Sequence, residues 1–392
     1  MTETVLPLKG IVQHYAWGGN EFIPDLIHLP KEDKPYAEYW MGAHASAPSL
    51  VDERKLNELI QHNPIKYIGK DTFERFGELP YLFKVLDVKD MLSIQVHPTK
   101  EEAIKGYEKE EQSGIPLSAP HRNYKDKNHK PEIMVALSDF WLLHGFKKED
   151  ELKKTLDAVP EFNFLIKVFD KEGYYGLYKT VMELPQDKVD VVLKPLVERA
   201  LENKTTNKSG PQFWVQKLFA GAKELNQLDR GIFSIYFFNI VHLNIGEGIF
   251  QAAGVPHAYL EGQNLELMAN SDNVLRGGLT PKYIDVPELL MHIKFEGISP
   301  QILKGRKVNE YECVYESPVS DFDISVIKLD AGAACQTSTF SGEIFFVLKG
   351  AVVIGEQTFK KGEAFYALPD SQFSIKATVN AVIYRAFVPK RK

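Results

Sequence analysis

A chain of 392 residues is longer than one ordinary core, so two or three packed units are expected. Hydrophobic residues at 44% and charged residues at 26% are the proportions of a soluble globular protein. A net charge of −6 and a pI near 6.0 exclude whole-molecule attraction to nucleic acid or to an anionic membrane, so an anionic ligand must be drawn by local charge.

The opening Met1-Thr2-Glu3-Thr4-Val5-Leu6-Pro7 lacks a basic stretch followed by an apolar core, so no secretory leader and a cytoplasmic location are expected. No apolar run approaches the roughly 20 residues that span a bilayer. Residues 1 to about 148 read as short strands between Gly, Pro, Asn and Asp turns, with brief helical pieces such as Leu56 to Ile68. Lys100 to Lys130 is polar and charge-rich and reads as a helix followed by a long surface loop. Such loops beside a pocket are often functional.

From about 149 to 229 the apolar spacing changes to three and four, as in Val192, Leu196, Ala200 and then Phe213-Trp214, Leu218, which predicts a helical insertion broken by a turn at Asn203 to Pro211. Strands are expected to resume at Ile232 to Leu243, a long aromatic and β-branched run, and to continue through His257 to Met268. Residues 320 to 392 read as strand and turn throughout. The two cysteines, Cys313 and Cys335, have no metal-ligand spacing and are expected to be reduced thiols.

Four segments carry chemistry. In Leu92-Ser93-Ile94-Gln95-Val96-His97-Pro98 apolar and polar residues alternate, so an extended chain points Ser93, Gln95 and His97 to one face. A sheet presents two ligands to one metal ion in this way. Asn128-His129-Lys130-Pro131-Glu132 sets a lysine and a carboxylate two residues apart, and the proline biases Lys130 towards extended backbone. Pro256-His257-Ala258-Tyr259 offers a histidine. In Leu265-Glu266-Leu267 a glutamate faces opposite two leucines, and Arg276 follows in Ser271-Asp272-Asn273-Val274-Leu275-Arg276-Gly277-Gly278-Leu279-Thr280-Pro281-Lys282.

These segments, with Pro80-Tyr81-Leu82-Phe83-Lys84-Val85-Leu86, Tyr15-Ala16-Trp17-Gly18 and Pro35-Tyr36-Ala37-Glu38-Tyr39-Trp40-Met41-Gly42, resemble the type I phosphomannose isomerases, zinc-dependent enzymes of the cupin superfamily. The resemblance runs from about residue 5 to the C-terminus. It implies a mainly β fold of two jelly-roll-like cupin barrels plus a helical domain. The catalytic cupin would take residues 1–148 and 230–319, the helical insertion 149–229, and a metal-free cupin-like copy 320–392, since no histidine follows His292.

The resemblance further implies one zinc ion per chain held by Gln95, His97, Glu132 and His257. Two imidazoles and a carboxylate suit a catalytic zinc, although manganese and iron accept the same ligands. The implied reaction interconverts mannose 6-phosphate and fructose 6-phosphate through an enediol. Arg276 would stabilise negative charge. Lys130 or Glu266 would move the proton, and the residues alone do not decide between them. Substrate contacts are expected from Trp17, Lys84, Ser93, Lys100, His129 and Lys282. His144, within Phe140-Trp141-Leu142-Leu143-His144-Gly145-Phe146, is expected to pack. The expected partner is a small sugar phosphate, with no nucleic acid or membrane, and the chain is expected to act as a monomer.

Overall fold

A computed structural model describes residues 4–221 and 224–390; Met1-Thr2-Glu3, which entered the leader reading, lies outside them. Three sheets and a layer of helices make up the molecule. The first sheet has ten strands, and its spine is the thirteen-residue strand His257–Ala269. That strand is long enough to pair with four others: Tyr81–Val88, Gln95–Val96, Glu132–Ala136 and Phe140–Phe146. Gly262 lets it bend. Its φ is +124°, and a Cβ there would lie 2.6 Å from the Asp139 carbonyl oxygen.

Register brings the chemistry-bearing residues together. Glu266 lies opposite Lys84, Met268 opposite Glu132, and His257 opposite both Gln95 and His144. Leu275–Arg276 pairs with Gln95–Val96, setting Arg276 across from Gln95. Cross-strand partners share a face, so these side chains meet although they are far apart in sequence.

The alternation in Leu92–His97 has a packing cause. Ile94 and Val96 are fully buried in the same core as the helical layer. That layer comprises Glu149–Ala158, Asn163–Glu183, Gln186–Glu202 and Pro211–Leu218. Leu152, Leu156, Leu177, Val181, Val189, Leu193 and Trp214 supply its apolar faces. The strand itself is shorter than expected and is regular only at Gln95–Val96.

One element departs from the sequence reading. Ile232 to Phe237 belongs to a helix, Gly231–Phe237, and the strand begins only at Phe238 and ends at Leu243. Every residue of that helix is buried, so the run is apolar on all sides and shows neither period. The start signal is Asp229, whose carboxylate accepts the Gly231 N–H at 2.6 Å.

The nine-stranded sheet runs in the order Arg306–Lys307, Glu312–Tyr315, Asp323–Leu329, Ala381–Phe387, Glu343–Lys349, Ala364–Ala367, Val5–Lys9, Leu50–Val51, Arg54–Lys55. Residues from the start of the chain therefore complete a sheet built mostly from its end, with Val5 opposite Ala367. A four-stranded sheet of Ala334–Ser338, Gln372–Ala377, Ala351–Ile354 and Gln357–Lys360 packs on it through Phe345, Phe359 and Phe365. Among the described residues, no helix is long and apolar enough to cross a membrane.

Candidate metal centre

His97, Glu132 and His257 are buried, and one ligand atom from each lies within 4.8 Å of the others. His97 Nε2 stands 3.3 Å from Glu132 Oε1, and His257 Nε2 stands 3.3 Å from Glu132 Oε2. The Nδ1 atoms are committed elsewhere. His97 Nδ1 donates to the Asn273 carbonyl and His257 Nδ1 to the Val255 carbonyl, each at 2.9 Å. A neutral imidazole that donates from Nδ1 carries a lone pair on Nε2. Both lone pairs then point at a carboxylate, a repulsive arrangement that a cation between them would reverse. His97 Nε2 is buried without a hydrogen-bond partner, as a ligand atom would be before coordination.

Charge supports this reading. Burial, and next the Lys130 ammonium, push the His97 imidazole down to about 4, so it is neutral near pH 7. Burial opposes ionisation of Glu132, but the Lys130 ammonium holds its carboxyl well below the usual carboxylate range. Lys130 Nζ lies 3.2 Å from Glu132 Oε1. Two imidazoles and one carboxylate fit a divalent metal with an open position. Gln95 is half-buried and lies opposite His257 and Arg276 in the ladder.

Beside this cluster a second network is buried. Glu266 Oε1 accepts from Lys84 Nζ at 3.1 Å and Oε2 from the Tyr259 hydroxyl at 2.7 Å. Tyr259 in turn accepts from Gln251 Nε2 at 2.9 Å, and Gln251 lies opposite Glu132 in the ladder. Lys84 also lies 3.7 Å from Glu38 and over the Trp40 ring. Burial, with the Glu132 charge next, raises Glu266 above the usual carboxylate range despite Lys84. Lys84 is therefore committed to two carboxylates.

Arg276 is half-buried, and its ionised form is disfavoured by burial alone. No hydrogen bond or ion pair engages its guanidinium among the described residues. Lys282 is lowered by burial and then by Arg276, so the two cations lie close together. Lys125, which the sequence reading passed over, is lowered by burial, then by Arg122, and also by Arg276. Arg276 thus has the positive charge of Lys282 and Lys125 near it, and the Lys125 ammonium itself donates to the Leu117 carbonyl at 2.6 Å.

Two of the remaining expected contacts, Lys100 and His129, line a cavity of about 680 Å³ with His44, Lys125, Asn128 and Asp272. That cavity is lined by none of His97, Glu132 and His257. Lys100 Nζ donates to Asn128 Oδ1 at 2.7 Å, and His129 Nε2 meets Asp321 at 2.8 Å. Ser93 is half-buried. Trp17 stacks on Tyr15 and packs against the buried cluster that includes Leu86, Val88 and Tyr259. His144 is buried, its Nδ1 has no hydrogen-bond partner, and it sits across from His257. A larger groove of about 1190 Å³ is lined by none of His97, Glu132 and His257. Asn273, Tyr259 and Gln251 were also missed; all three act by register or carbonyl direction, which spacing does not reveal.

The family profile of the phosphomannose isomerase type I catalytic domain matches residues 5–149. Mannose-6-phosphate isomerase of Escherichia coli strain K12 is 37% identical over 381 residues, covering 93% of this chain and 95% of that protein. Mannose-6-phosphate isomerase 1 of Arabidopsis thaliana is 31% identical, with 98% and 94% covered. The crystal structure of mannose 6-phosphate isomerase from Salmonella typhimurium bound to fructose 6-phosphate and zinc superposes with a TM-score of 0.88 at 33% identity, covering 99% of this chain and 100% of that one.

Proposed function

The chain belongs to the mannose-6-phosphate isomerase family, and on that footing we propose that it interconverts D-mannose 6-phosphate and D-fructose 6-phosphate with one zinc ion per chain. The observation that carries the proposal is the Nε2 pair of His97 and His257 converging on Glu132 beside an unpaired Arg276.

Gln95, His97, Glu132 and His257 would hold the zinc, which as a Lewis acid favours negative charge developing on the sugar oxygens at C1 and C2. The chain's own groups do the rest. Arg276 faces the anionic transition state, while Lys282 and Lys125 add positive charge for the phosphate. Lys130 or Glu266 takes the proton from C2 of the aldose and returns it to C1, while the C2 hydroxyl proton passes to the C1 oxygen through the enediol, and the reverse direction uses the same group. Tyr259 and Lys84 fix the Glu266 carboxylate, and Trp17, Ser93, Lys100 and His129 border the approach. Lys84 acts through Glu266 in this reading and not on phosphate.

The same reading divides the chain into a catalytic cupin barrel (1–148 and 230–319), a helical insertion (149–229) and a cupin-like barrel (320–392). The four-stranded sheet falls wholly within 320–392, whereas the nine-stranded sheet also takes Val5–Lys9, Leu50–Val51, Arg54–Lys55, Arg306–Lys307 and Glu312–Tyr315 from the residues given to the catalytic barrel. We take the working form to be a cytoplasmic monomer, which size-exclusion chromatography checks. A coupled assay with a panel of hexose phosphates tests the activity. Turnover of another sugar phosphate in place of mannose 6-phosphate, or zinc binding with no turnover at all, would overturn it.

A further inference from the structure

We propose that Asn273 is a positioning residue that holds the Lys125–Lys130 segment in register with the metal ligands. The inference rests on the reading of Lys130 and the zinc ligands given above. Asn273 is completely buried, and its main chain and side chain serve different parts of the site. Its carbonyl accepts from His97 Nδ1, which fixes that imidazole's tautomer. Its side chain grips the loop that leads to Lys130.

The grip is complete. Asn273 Oδ1 accepts the Lys125 N–H at 2.7 Å and the Asp126 N–H at 3.2 Å. Nδ2 donates to the Asp126 carbonyl at 2.9 Å, the Asp126 carboxylate at 3.2 Å and the Asn128 carbonyl at 2.8 Å. Neighbours reinforce it: the Ser271 hydroxyl and the Asp272 N–H both donate to the Asp126 carboxylate. The outer part of the loop is tied differently, through Glu110 to the N–H groups of Asn123 and Tyr124. The inner part, 125–128, hangs on residues 270–273. One side chain therefore sets the distance between a zinc-ligand histidine and the strand entry that carries Lys130 and Glu132. A misplacement of about 1 Å in a reacting group costs about 10²-fold in rate.

Asn273→Asp keeps shape and keeps the acceptor for Lys125 and Asp126. It replaces the Nδ2 donor with an oxygen facing two carbonyls and a carboxylate. The expected result is one zinc per chain, zinc affinity unchanged in chelator competition, and kcat for mannose 6-phosphate lowered about 10²-fold. Adding Asp126→Asn supplies a donor to the new carboxylate and should restore part of kcat, which a general loss of stability would not predict. If Asn273→Asp does not fold, Asn273→Ser takes its place, read by hydrogen exchange. Protection of the Lys125 and Asp126 amides should be lost while that of Val96 is kept. That exchange measurement also judges the proposal should the wild-type protein prove inactive on mannose 6-phosphate. Wild-type kcat in Asn273→Asp, loss of zinc together with activity, no recovery in the double variant, or unchanged exchange in Asn273→Ser would each overturn it.

Discussion

Lys84 and Glu266 form a 3.1 Å ion pair between facing strands, with both side chains almost fully buried. Glu38 and Glu132 crowd the same region, so the ammonium balances more than one carboxylate. Removing one partner of a buried pair leaves an uncompensated charge and typically costs about 3–5 kcal/mol. Lys84→Ala should lose stability in that range in urea unfolding near pH 8. Its loss should shrink as the pH falls, because Glu266, already raised, then takes up a proton and no longer needs the lysine. Lys84→Ala with full stability at pH 8 would show the pair to be energetically idle.

A second pH effect lies under the loop. Glu288 is held down to about 2, first by the His292 hydrogen bond and then by Tyr124 and Lys109, against burial. His292 is raised because Glu288 and Glu102 outweigh its burial, and Glu110 adds negative charge near Tyr124. The depressed Glu288 contributes stability above its unfolded value of 4.5, lost as pH falls towards 2. The raised His292 contributes below its unfolded value of 6.5, lost as pH rises through its folded one. Glu288→Gln should therefore cost most between these two unfolded values. A wild-type to variant difference in urea midpoint that is flat from pH 3 to 8 would refute the pairing.

Zinc removal should abolish turnover, and added zinc should restore it. His97→Ala with His257→Ala leaves only Gln95 and Glu132 of the proposed ligands, so the double variant should hold no stoichiometric zinc by atomic absorption. Retained metal would place the site elsewhere.

Arg276→Ala should lower turnover by about 10²- to 10³-fold, the usual loss for a charge-stabilising donor, with zinc content unchanged. Arg276→Lys keeps charge without the planar fork and should recover only part of the rate. Steady-state kinetics beside metal analysis checks both.

Sequence legibility followed the range of the interaction. Gln95 and His97 were readable because period two is a local property, and Ile94 and Val96 explain it by packing against the helices. The insertion at 149–229 announced itself by helical spacing. Ile232 to Phe237 did not, because burial on every side erases the period that separates helix from strand. The pairing of Val5 with Ala367 spans nearly the whole chain, and nothing local specifies it. In the site, ligand types were legible, but charge balance was not. Lys84 looks like a phosphate lysine until Glu38 and Glu266 are placed around it. Asn273 works through its carbonyl and amide, neither of which leaves a spacing signature.

The proton path has two candidates with different surroundings. Lys130 Nζ lies 3.2 Å from Glu132 Oε1, in direct contact with a proposed metal ligand. Glu266 is raised towards the range of an effective base but already accepts from Lys84 and Tyr259. In heavy water, transfer by either group through an enediol should bring some solvent deuterium into product, whereas a hydride shift carries the C2 hydrogen across without exchange. Retention alone is ambiguous, since a shielded base can return the same proton. Comparison of Lys130→Ala with Glu266→Gln is decisive. Glu266→Gln preserves the Tyr259 contact through its amide oxygen, so a collapse of kcat there, with zinc and fold intact, assigns the proton to Glu266. A collapse only in Lys130→Ala assigns it to the lysine, whose removal also leaves Glu132 free to bind zinc. Near-normal turnover in both variants would mean that neither group is the base and that the proposed mechanism is wrong.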